Sequence, residues 1–287
     1  MRHVYGWLLL LPGFILIVAF THYPTVTTFI NSFFSNQTVL KPRRFIGLDN
    51  YEYMIHDPIF MQTLKNTLYF SLTTVPLSIM IALAMAIFVQ EKIKARSIVR
   101  LAYFTPTILP MVAVANIWLF FYAPEIGLIN QVLHYFGFNE YNFLGDRDLV
   151  LGSTIVMTVW KEAGFFMIFY LAALQGISKE LYEAAKIEGS SSWMTFTKVT
   201  FPLLMPTTFF VMINALINSF KMIDHLFILT KGGPDNASNL LLYYIYDVAF
   251  SFFDYSYAAT LTIVLLSILI IISLIQFGLI EKKIHYK

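Results

Sequence analysis

Six long apolar runs constrain the fold of this 287-residue chain more than any other feature. Each is long enough to cross a hydrocarbon layer, which takes about 20 helical residues. Soluble helices are shorter and carry a polar face, and membrane strands alternate in polarity, so neither class explains runs of this kind. The pattern predicts an all-α integral membrane protein with six transmembrane helices in a single domain, residues 1–287. The predicted spans are 6–33, 66–90, 98–123, 149–175, 203–230 and 256–280.

The composition supports a membrane protein and removes several kinds of chemistry. Charged residues make up 13% of the chain, about half the share that a soluble domain carries, which is about 25%. A net charge of +2 produces no field that would attract nucleic acid, so membrane lipid and not nucleic acid is the expected surrounding. The chain has no cysteine, which excludes disulfides and thiolate metal sites.

The placement of lysine and arginine predicts the orientation of the chain. Short cytoplasmic loops carry an excess of these residues in membrane proteins. With the N-terminus inside, eleven of them fall on the cytoplasmic side and seven on the other. Both termini are therefore expected in the cytoplasm. The eleven are Arg2, Lys92, Lys94, Arg96, Arg100, Lys179, Lys186, Lys198, Lys282, Lys283 and Lys287.

No catalytic or cofactor motif is present in the sequence. It lacks the G-x-x-x-x-G-K-[ST] loop that cradles nucleotide phosphates. It also lacks the H-E-x-x-H and G-x-S-x-G motifs, and its six histidines are scattered. We therefore expect a protein that is not an enzyme and that has no metal or nucleotide cofactor of its own.

The predicted cytoplasmic loop 176–202 carries the most informative local signal. Leu181–Glu188 consists largely of strong helix formers, Ser178 is a suitable N-cap, and Gly189 is a suitable residue to end the helix. The pattern predicts a short helix outside the membrane that presents acids and alanines to another protein. Segment 193–201 leads from it directly into the fifth span, so motion of the helix would reach the membrane. The open alternative is a solvated loop helix with no partner.

The same loop resembles a known family motif. Glu183-Ala184-Ala185, followed at family spacing by Gly189, Val199, Phe201 and Pro202, resembles the EAA loop of binding-protein-dependent ABC importer permeases. Phe201 stands where that family usually has leucine. Further segments resemble its sugar-permease branch, the MalF-like subunits of maltose transporters. These segments are Phe45–Tyr51, Lys65–Leu68, Leu229–Pro234 and Tyr244–Tyr246 with Ala249 and Phe250.

The resemblance implies a fold, a location and a set of partners. It implies the type I ABC importer permease fold in the bacterial inner membrane, with a second, MalG-like permease subunit completing the translocation path. It further implies two copies of a cytoplasmic ABC ATPase that bind ATP and Mg²⁺, an extracytoplasmic solute-binding protein, and a carbohydrate substrate. By the same resemblance, the residues that couple to the ATPase are Leu181, Glu183, Ala184, Ala185, Lys186 and Gly189.

Polar residues inside two predicted spans form a second candidate site. Asn214, Asn218, Lys221 and His225 stand at helical offsets 0, 4, 7 and 11, which would place them along one face of the fifth span. Polar groups facing lipid are costly, so such a face indicates a water-filled path or a partner. We expect both spans to line the path, where amides and charges bind sugar hydroxyls and rings stack. The fourth span contributes Thr154, Thr158, Trp160, Lys161, Glu162 and Phe165.

Other interpretations of these polar residues stay open at this point. Lys161 could pair with Glu162 or extend to the outer interface, and Lys221 could pair with Asp224. Asn214 and Asn218 could hydrogen-bond to the second permease subunit. An ion-coupled secondary transporter or channel is the alternative function, because intramembrane Lys221, Asp224 and Glu162 could serve ion coupling.

Two further expectations concern the outer side of the membrane. Segment 238–255 is apolar and rich in tyrosine, yet it is short for a span and contains Asp247 and Asp254. We expect an external helix that lies at the interface. Tyr122 and Tyr257 fall where helices should leave the bilayer, which is typical of an interfacial aromatic belt.

Overall fold

The computed structural model describes residues 2–37, 42–90 and 96–280, and this part of the chain is almost entirely helical. Its one β feature in these ranges is an isolated antiparallel bridge between Phe34 and Phe45. The all-α prediction is therefore confirmed. Lys41, Lys92, Lys94, Lys282, Lys283 and Lys287, used above to count charges on the two sides of the membrane, lie outside the described residues.

The helices are numbered along the chain. The N-terminal helix has two α-helical parts, α1 and α2, joined by a π-helical turn at Val18–His22. Similar π-helical turns lie at Phe196–Thr200 and Asp247–Ser251. The α-helices are α1 (Arg2–Ile17), α2 (Tyr23–Asn31), α3 (Asp49–His56), α4 (Pro58–Gln90), α5 (Arg96–Ile108), α6 (Met111–Phe121), α7 (Leu128–Tyr135), α8 (Val150–Gly176), α9 (Lys179–Ile187), α10 (Ser192–Thr195), α11 (Phe201–Lys221), α12 (Asp224–Leu229), α13 (Leu241–Tyr246) and α14 (Tyr255–Ile280).

Five helical segments of the described chain are long and apolar enough to cross a membrane, and a sixth is broken. The broken span consists of α5 and α6, whose axes differ in direction by 103°. Pro110 lies at the break with an extended ψ of 145° and has no N–H to continue the helix. The third apolar run is therefore two helices and not one continuous span. The five unbroken segments are Leu9–Asn31, Pro58–Gln90, Val150–Gly176, Ser192–Leu229 and Tyr255–Gly278.

The chain divides into two compact units. The first contains the described parts of Met1–Met61 and Leu242–Ile270. Within it, Asp57 is buried and accepts hydrogen bonds at 2.6 Å from the hydroxyls of Tyr244 and Tyr257. Its other carboxylate oxygen accepts from the backbone N–H of Ile59 at 2.9 Å, which caps the start of α4. Burial and the bond to Asp57 raise the pKa of the Tyr244 hydroxyl, so it stays protonated and donates.

The second unit contains the described parts of Gln62–Leu241 and Ile271–Lys287. Its larger apolar cluster joins α4, α8 and α11 around the fully buried Tyr170. A smaller cluster joins α6, α8 and α12 around Val114, Trp118 and Met157. Helix α8 takes part in both clusters, so its polar residues lie among the other helices of this unit.

Two expectations for the outer side need correction. The helix predicted over 238–255 is shorter and covers Leu241–Tyr246 with the π-helical turn Asp247–Ser251. Tyr122 and Tyr257 are buried, with exposed fractions of 3% and 5%, so they do not form an interfacial belt. Both tyrosines can be buried because their hydroxyls have hydrogen-bond partners. Tyr122 donates to the carbonyl of Ser153 at 2.8 Å, and Tyr257 donates to Asp57.

Candidate functional site

The predicted loop helix is present in the structure as α9, Lys179–Ile187. Ser178 is its N-cap, and the Ser178 hydroxyl accepts from the backbone N–H of Glu180 at 3.3 Å. Glu180 lies in the first turn and Lys186 in the last, as the helix dipole favours. The sequence signals that predicted this helix are all local, and the prediction is confirmed.

A glycine ends the loop helix through a Schellman motif. Gly189 has φ +74°, the left-handed region that side chains disfavour. Its N–H donates to the carbonyl of Lys186 at 3.1 Å, and the N–H of Ser190 donates to the carbonyl of Ala185 at 3.0 Å. These two bonds turn the chain sharply towards α10, whose N-cap is Ser191.

Most of the loop helix faces outward in this chain. Of the predicted coupling residues, Ala185 is buried, while the other five are exposed. Large apolar side chains are exposed on the same segment: Leu181 at 44%, Ile187 at 88% and Trp193 at 73%. No part of the described chain covers these three side chains. The exposed coupling residues are Leu181, Glu183, Ala184, Lys186 and Gly189.

The loop helix is also joined to the membrane-spanning helices of its own unit. The hydroxyl of Thr200, in the π-helical turn before α11, donates to the Tyr182 hydroxyl at 3.3 Å. The turn Phe196–Thr200 runs without interruption into α11. At the other end of the loop, Gln90 at the end of α4 donates to the carbonyl of Leu174 in α8 at 3.2 Å. The loop helix is therefore joined by a side-chain contact to the segment that leads into α11.

The structure brings together several of the predicted path residues between α4, α8 and α11. The side chains of Glu162 and Asn218 lie next to each other. Both line a small cavity of about 10 Å³, which has room for about one water molecule. The second carboxylate oxygen of Glu162 is buried and has no hydrogen-bond partner. The remaining polar residues around this cavity are Thr74, Ser78, Thr158 and Ser219.

Lys161 makes contacts that the sequence did not predict. Its Nζ donates to the carbonyl oxygens of Leu109 at 2.7 Å and Pro106 at 3.3 Å, both beside the break of the third span. An ion pair with Glu162 was the alternative considered from the sequence, yet the ammonium's hydrogen bonds go to the backbone carbonyls. The neighbouring Trp160 meets Trp118 edge-on at 5.6 Å between ring centroids.

His225 does not lie on the predicted polar face of the fifth span. The helix ends at Lys221, and α12 begins at Asp224, so the assumption of one unbroken helix through position 225 is wrong. His225 is fully buried and stacks on Phe70 at 6.0 Å between ring centroids. Its two ring nitrogens have no hydrogen-bond partner.

The other predicted path residues occupy varied surroundings. Asn214 is half-buried and donates to the carbonyl of Phe210 in its own helix at 2.8 Å. Lys221 is exposed, and Thr154 and Thr158 are buried. Phe165 packs against Phe166 and Phe169. Of the predicted path residues, Glu162, Asn218 and Thr158 thus line the small cavity between α4, α8 and α11, and the others lie outside it.

Within the second unit, the segment Lys65–Leu68, which resembles the sugar-permease branch, contacts the chain that follows Leu229–Pro234. The side chain of Asn66 donates to the carbonyls of Asn236 and Asn239 at 2.8 and 3.0 Å. The hydroxyl of Thr67 accepts from the N–H of Leu241 at 2.8 Å. These bonds hold the chain that follows the Gly-Gly-Pro turn against α4. The sequence predicted no contact between these parts of the chain, since 170 residues separate Asn66 from Asn236.

No group of three histidine or acidic side chains within residues 2–37, 42–90 and 96–280 could hold a metal ion. The candidate site consists instead of the loop helix and the polar residues of α8 and α11. Neither arrangement contains a nucleophile with a neighbouring base.

Comparison with known proteins identifies the family. Residues 59–286 match the family of binding-protein-dependent transport system inner membrane components. The chain belongs to this family. It is similar to the lactose transport system permease protein LacF of Rhizobium radiobacter, at 32% identity over 96% of this chain and 93% of that protein. It is also similar to the arabinooligosaccharides transport system permease protein AraP of Bacillus subtilis, at 32% identity over 91% and 84%.

A solved structure shows the same fold. A chain in the crystal structure of a bacterial ABC transporter that imports the acidic polysaccharide alginate matches with a TM-score of 0.83 and 24% identity. The match covers 98% of this chain and 96% of that one. The predicted ABC importer permease fold is therefore confirmed.

Family membership settles the class of function. The protein is a permease subunit of an ABC importer, a multi-pass inner-membrane component and not an enzyme. The alternative of an ion-coupled secondary transporter or channel is set aside, because the family consists of components that work with a binding protein. The intramembrane Glu162 and Lys221 therefore need another explanation than ion coupling.

Proposed function

We propose that this permease subunit imports a carbohydrate, an oligosaccharide or a sugar derivative, and forms half of the translocation path together with a second permease subunit. The names of LacF and AraP support a sugar substrate, since both relatives cover nearly the whole chain. In this proposal both termini lie in the cytoplasm, and segment 238–251 lies on the outer side, near where a solute-binding protein docks.

The exposed apolar side chains of the loop helix and of α10 carry the proposal. Leu181, Ile187 and Trp193 would lose contact with water if a separate protein covered them, at about 25 cal/mol per Å² of apolar surface. We propose that the partner is a cytoplasmic ABC ATPase, present in two copies, which binds ATP and Mg²⁺. Docking then uses Leu181, Glu183, Ala184, Lys186 and Gly189, with Ala185 packed inward beneath them.

The N-terminal helix supports a second permease subunit. None of the apolar window in Leu9–Asn31 is buried within this chain. Its large side chains include Trp7, Leu9 and Phe20, with exposed fractions of 73%, 83% and 77%. Lipid could cover such a helix, and so could a second permease. Co-purification of the two permeases, lost when Leu9 and Phe20 are both changed to serine, tests this part of the proposal.

The polar residues on α8 and α11 supply the proposed lining of the path. Glu162 and Asn218 already contact each other beside Thr158 and form the centre of this lining. Asn214, Lys221, Trp160 and Phe165 are its proposed outer members, which substrate or the second subunit would contact. The cavity is too small for a sugar ring, so the path must widen during transport.

ATP-dependent uptake by the reconstituted complex tests the proposal. The four kinds of subunit are placed in liposomes with labelled oligosaccharide, and uptake is compared with ATP, with a non-hydrolysable analogue and with no nucleotide. We expect uptake only with ATP. Uptake that proceeds equally without ATP would contradict ATP-driven import, and an ATP requirement with no sugar transported would contradict the substrate class alone.

A further inference from the structure

The break in the third span leaves backbone carbonyl groups without partners. A helix cannot satisfy the carbonyls of its last turn by itself. Here the residue four positions after Pro106 is Pro110, which has no N–H to donate to the Pro106 carbonyl. The chain must therefore find another donor at this point or leave the carbonyl unpaired inside the protein.

Lys161 supplies that donor from α8. Its Nζ lies 3.3 Å from the Pro106 carbonyl oxygen and 2.7 Å from that of Leu109, so one ammonium group spans the end of α5 and the first residue of the break. The contact is reciprocal, because the hydroxyl of Thr107 donates to the backbone carbonyl of Lys161 at 3.4 Å. A charged donor strengthens such hydrogen bonds.

Close packing on both sides fixes the position of this ammonium group. One turn after Lys161, Gly164 lies so near α5 that a Cβ atom there would be 2.2 Å from the carbonyl oxygen of Tyr103. One residue before Lys161, Trp160 contacts Trp118 on α6. Helix α8 thus touches α5 on one side of the break and α6 on the other, with Lys161 between the two contacts.

Glu162, the residue after Lys161, links the break of the third span to the proposed path. Glu162 contacts Asn218 on α11, while Lys161 holds the break. Two consecutive residues of α8 therefore engage α11 and the α5–α6 break respectively. Helix α6 in turn packs against α12, which follows α11 after the short break at positions 222 and 223.

We propose that Lys161 is a positioning residue that holds the two halves of the third span at their angle, and that it does not bind substrate. Its role is to replace the backbone donor that Pro110 removes. This replaces the expectation from the sequence that Lys161 lines the path, and it rests on the proposed function only where transport is measured.

Spin labels measure the angle directly. The chain has no cysteine, so Ile98→Cys and Phe120→Cys can be labelled in the full-length protein in lipid nanodiscs without background. Both side chains are exposed, at 69% and 56%. The two Cα atoms would be about 33 Å apart on a straight helix at 1.5 Å per residue, and about 20 Å apart with the observed bend of 103°.

Lys161→Met removes the donor and keeps the length of the side chain. We expect the label distance to increase or its distribution to widen towards 33 Å, the length of about 22 residues of straight helix. Lys161→Arg should keep the parent distance, since a guanidinium can donate to both carbonyls. Lys221→Met is the matched control, because it removes another lysine of the spanning helices and should leave the distance unchanged. A parent-like distribution in Lys161→Met would overturn the proposal.

A second variant covers the case in which Lys161→Met does not accumulate in the membrane. Pro110→Ala restores an N–H four residues after Pro106, so the double variant Lys161→Met with Pro110→Ala should accumulate again. Equal loss of both variants would overturn the proposal. In the transport assay, Lys161→Met should lower the maximal uptake rate at least fivefold and change the half-saturating sugar concentration less than twofold. A selective rise in the half-saturating concentration would instead assign Lys161 to substrate binding.

Discussion

The hydroxyl of Thr200 donates to the hydroxyl of Tyr182 at 3.3 Å and so joins the loop helix to the turn that begins the fifth span. Tyr182 lies within the loop helix and is half-buried, whereas its neighbours Leu181 and Glu183 are exposed. One side of this helix thus contacts its own chain while the other remains open to a partner. A force applied to the open side is transmitted to α11 through this contact and through the continuous backbone.

Tyr182→Phe removes the hydroxyl contact and keeps the ring. A neutral hydrogen bond contributes about 1 kcal/mol, which corresponds to about a fivefold change in an equilibrium. We expect uptake to fall by up to that factor while ATP hydrolysis by the assembled complex is maintained, so the ATP consumed per sugar rises. Tyr135→Phe, at a side chain that is 85% exposed, is the matched control. A parallel fall of uptake and hydrolysis in Tyr182→Phe would contradict a role in transmission.

Gly189→Ala tests the end of the loop helix. The positive φ of Gly189 costs an L-residue about 1–2 kcal/mol, although a Cβ atom there would meet no other atom within 4 Å. We expect the variant to insert normally and to lose ATPase binding and uptake, and Gly189→Asp to do so more strongly because it adds a charge to the docking surface. Measurement of subunit co-purification and uptake checks this. Gly176→Ala is the control, because a Cβ atom there also meets no other atom within 4 Å, and it should behave as the parent. Normal uptake in Gly189→Asp would contradict the docking role.

Asn218→Ala tests the polar lining. Asn218 contacts Glu162, whereas the amide of Asn214 is engaged by a carbonyl of its own helix. We therefore expect Asn218→Ala to reduce uptake at least tenfold or to change the selectivity among sugars, and Asn214→Ala to have a smaller effect. Both variants should assemble normally. Loss of assembly in Asn218→Ala would instead favour a hydrogen bond to the second permease subunit.

The three-way contact of Asp57, Tyr244 and Tyr257 predicts a stability effect. Asp57→Ala leaves two tyrosine hydroxyls and the first backbone donor of α4 without their acceptor, at about 1–3 kcal/mol for each buried group that finds no other partner. Tyr244→Phe removes one bond and should cost about 1 kcal/mol. Thermal unfolding of the detergent-solubilised protein checks this. We expect the lowest midpoint temperature for Asp57→Ala, a higher one for Tyr244→Phe and the highest for the parent. Tyr255→Phe, at an exposed side chain, is the control, and an unchanged midpoint in Asp57→Ala would contradict the account.

The sequence predicted those features whose causes are local. Ser178 and Gly189 lie next to the helix that they cap, and a run of apolar residues identifies a membrane span without any knowledge of its neighbours. The break of the third span at Pro110 was not predicted, because the apolar run continues across it. The family motif placed the coupling residues on the loop helix, because the spacing from Glu183 to Gly189 is itself a local pattern.

Features that depend on packing between distant segments could not be predicted in this way. Asp57 binds tyrosines 187 and 200 residues further along the chain. The partners of Lys161 are 52 and 55 residues away, and an ammonium group can satisfy carbonyls as well as carboxylates, so charge pairing with Glu162 was an incomplete guide. The extrapolation of a helical face to His225 failed because the helix ends at Lys221, and neither glycine nor proline marks that end.

Cross-linking between the loop helix and the ATPase shows whether the loop helix is the surface on which the ATPase docks. The cysteine-free chain allows Ile187→Cys to be introduced at a position that is 88% exposed, and a bifunctional reagent can then join it to the ATPase in membranes that contain the complete transporter. We expect a cross-link from Ile187→Cys whose yield changes when ATP is bound, and none from Phe136→Cys, which is 69% exposed on a different loop. A loop helix that reacts with a reagent confined to the outside of the cell, or that never cross-links to the ATPase, would contradict it.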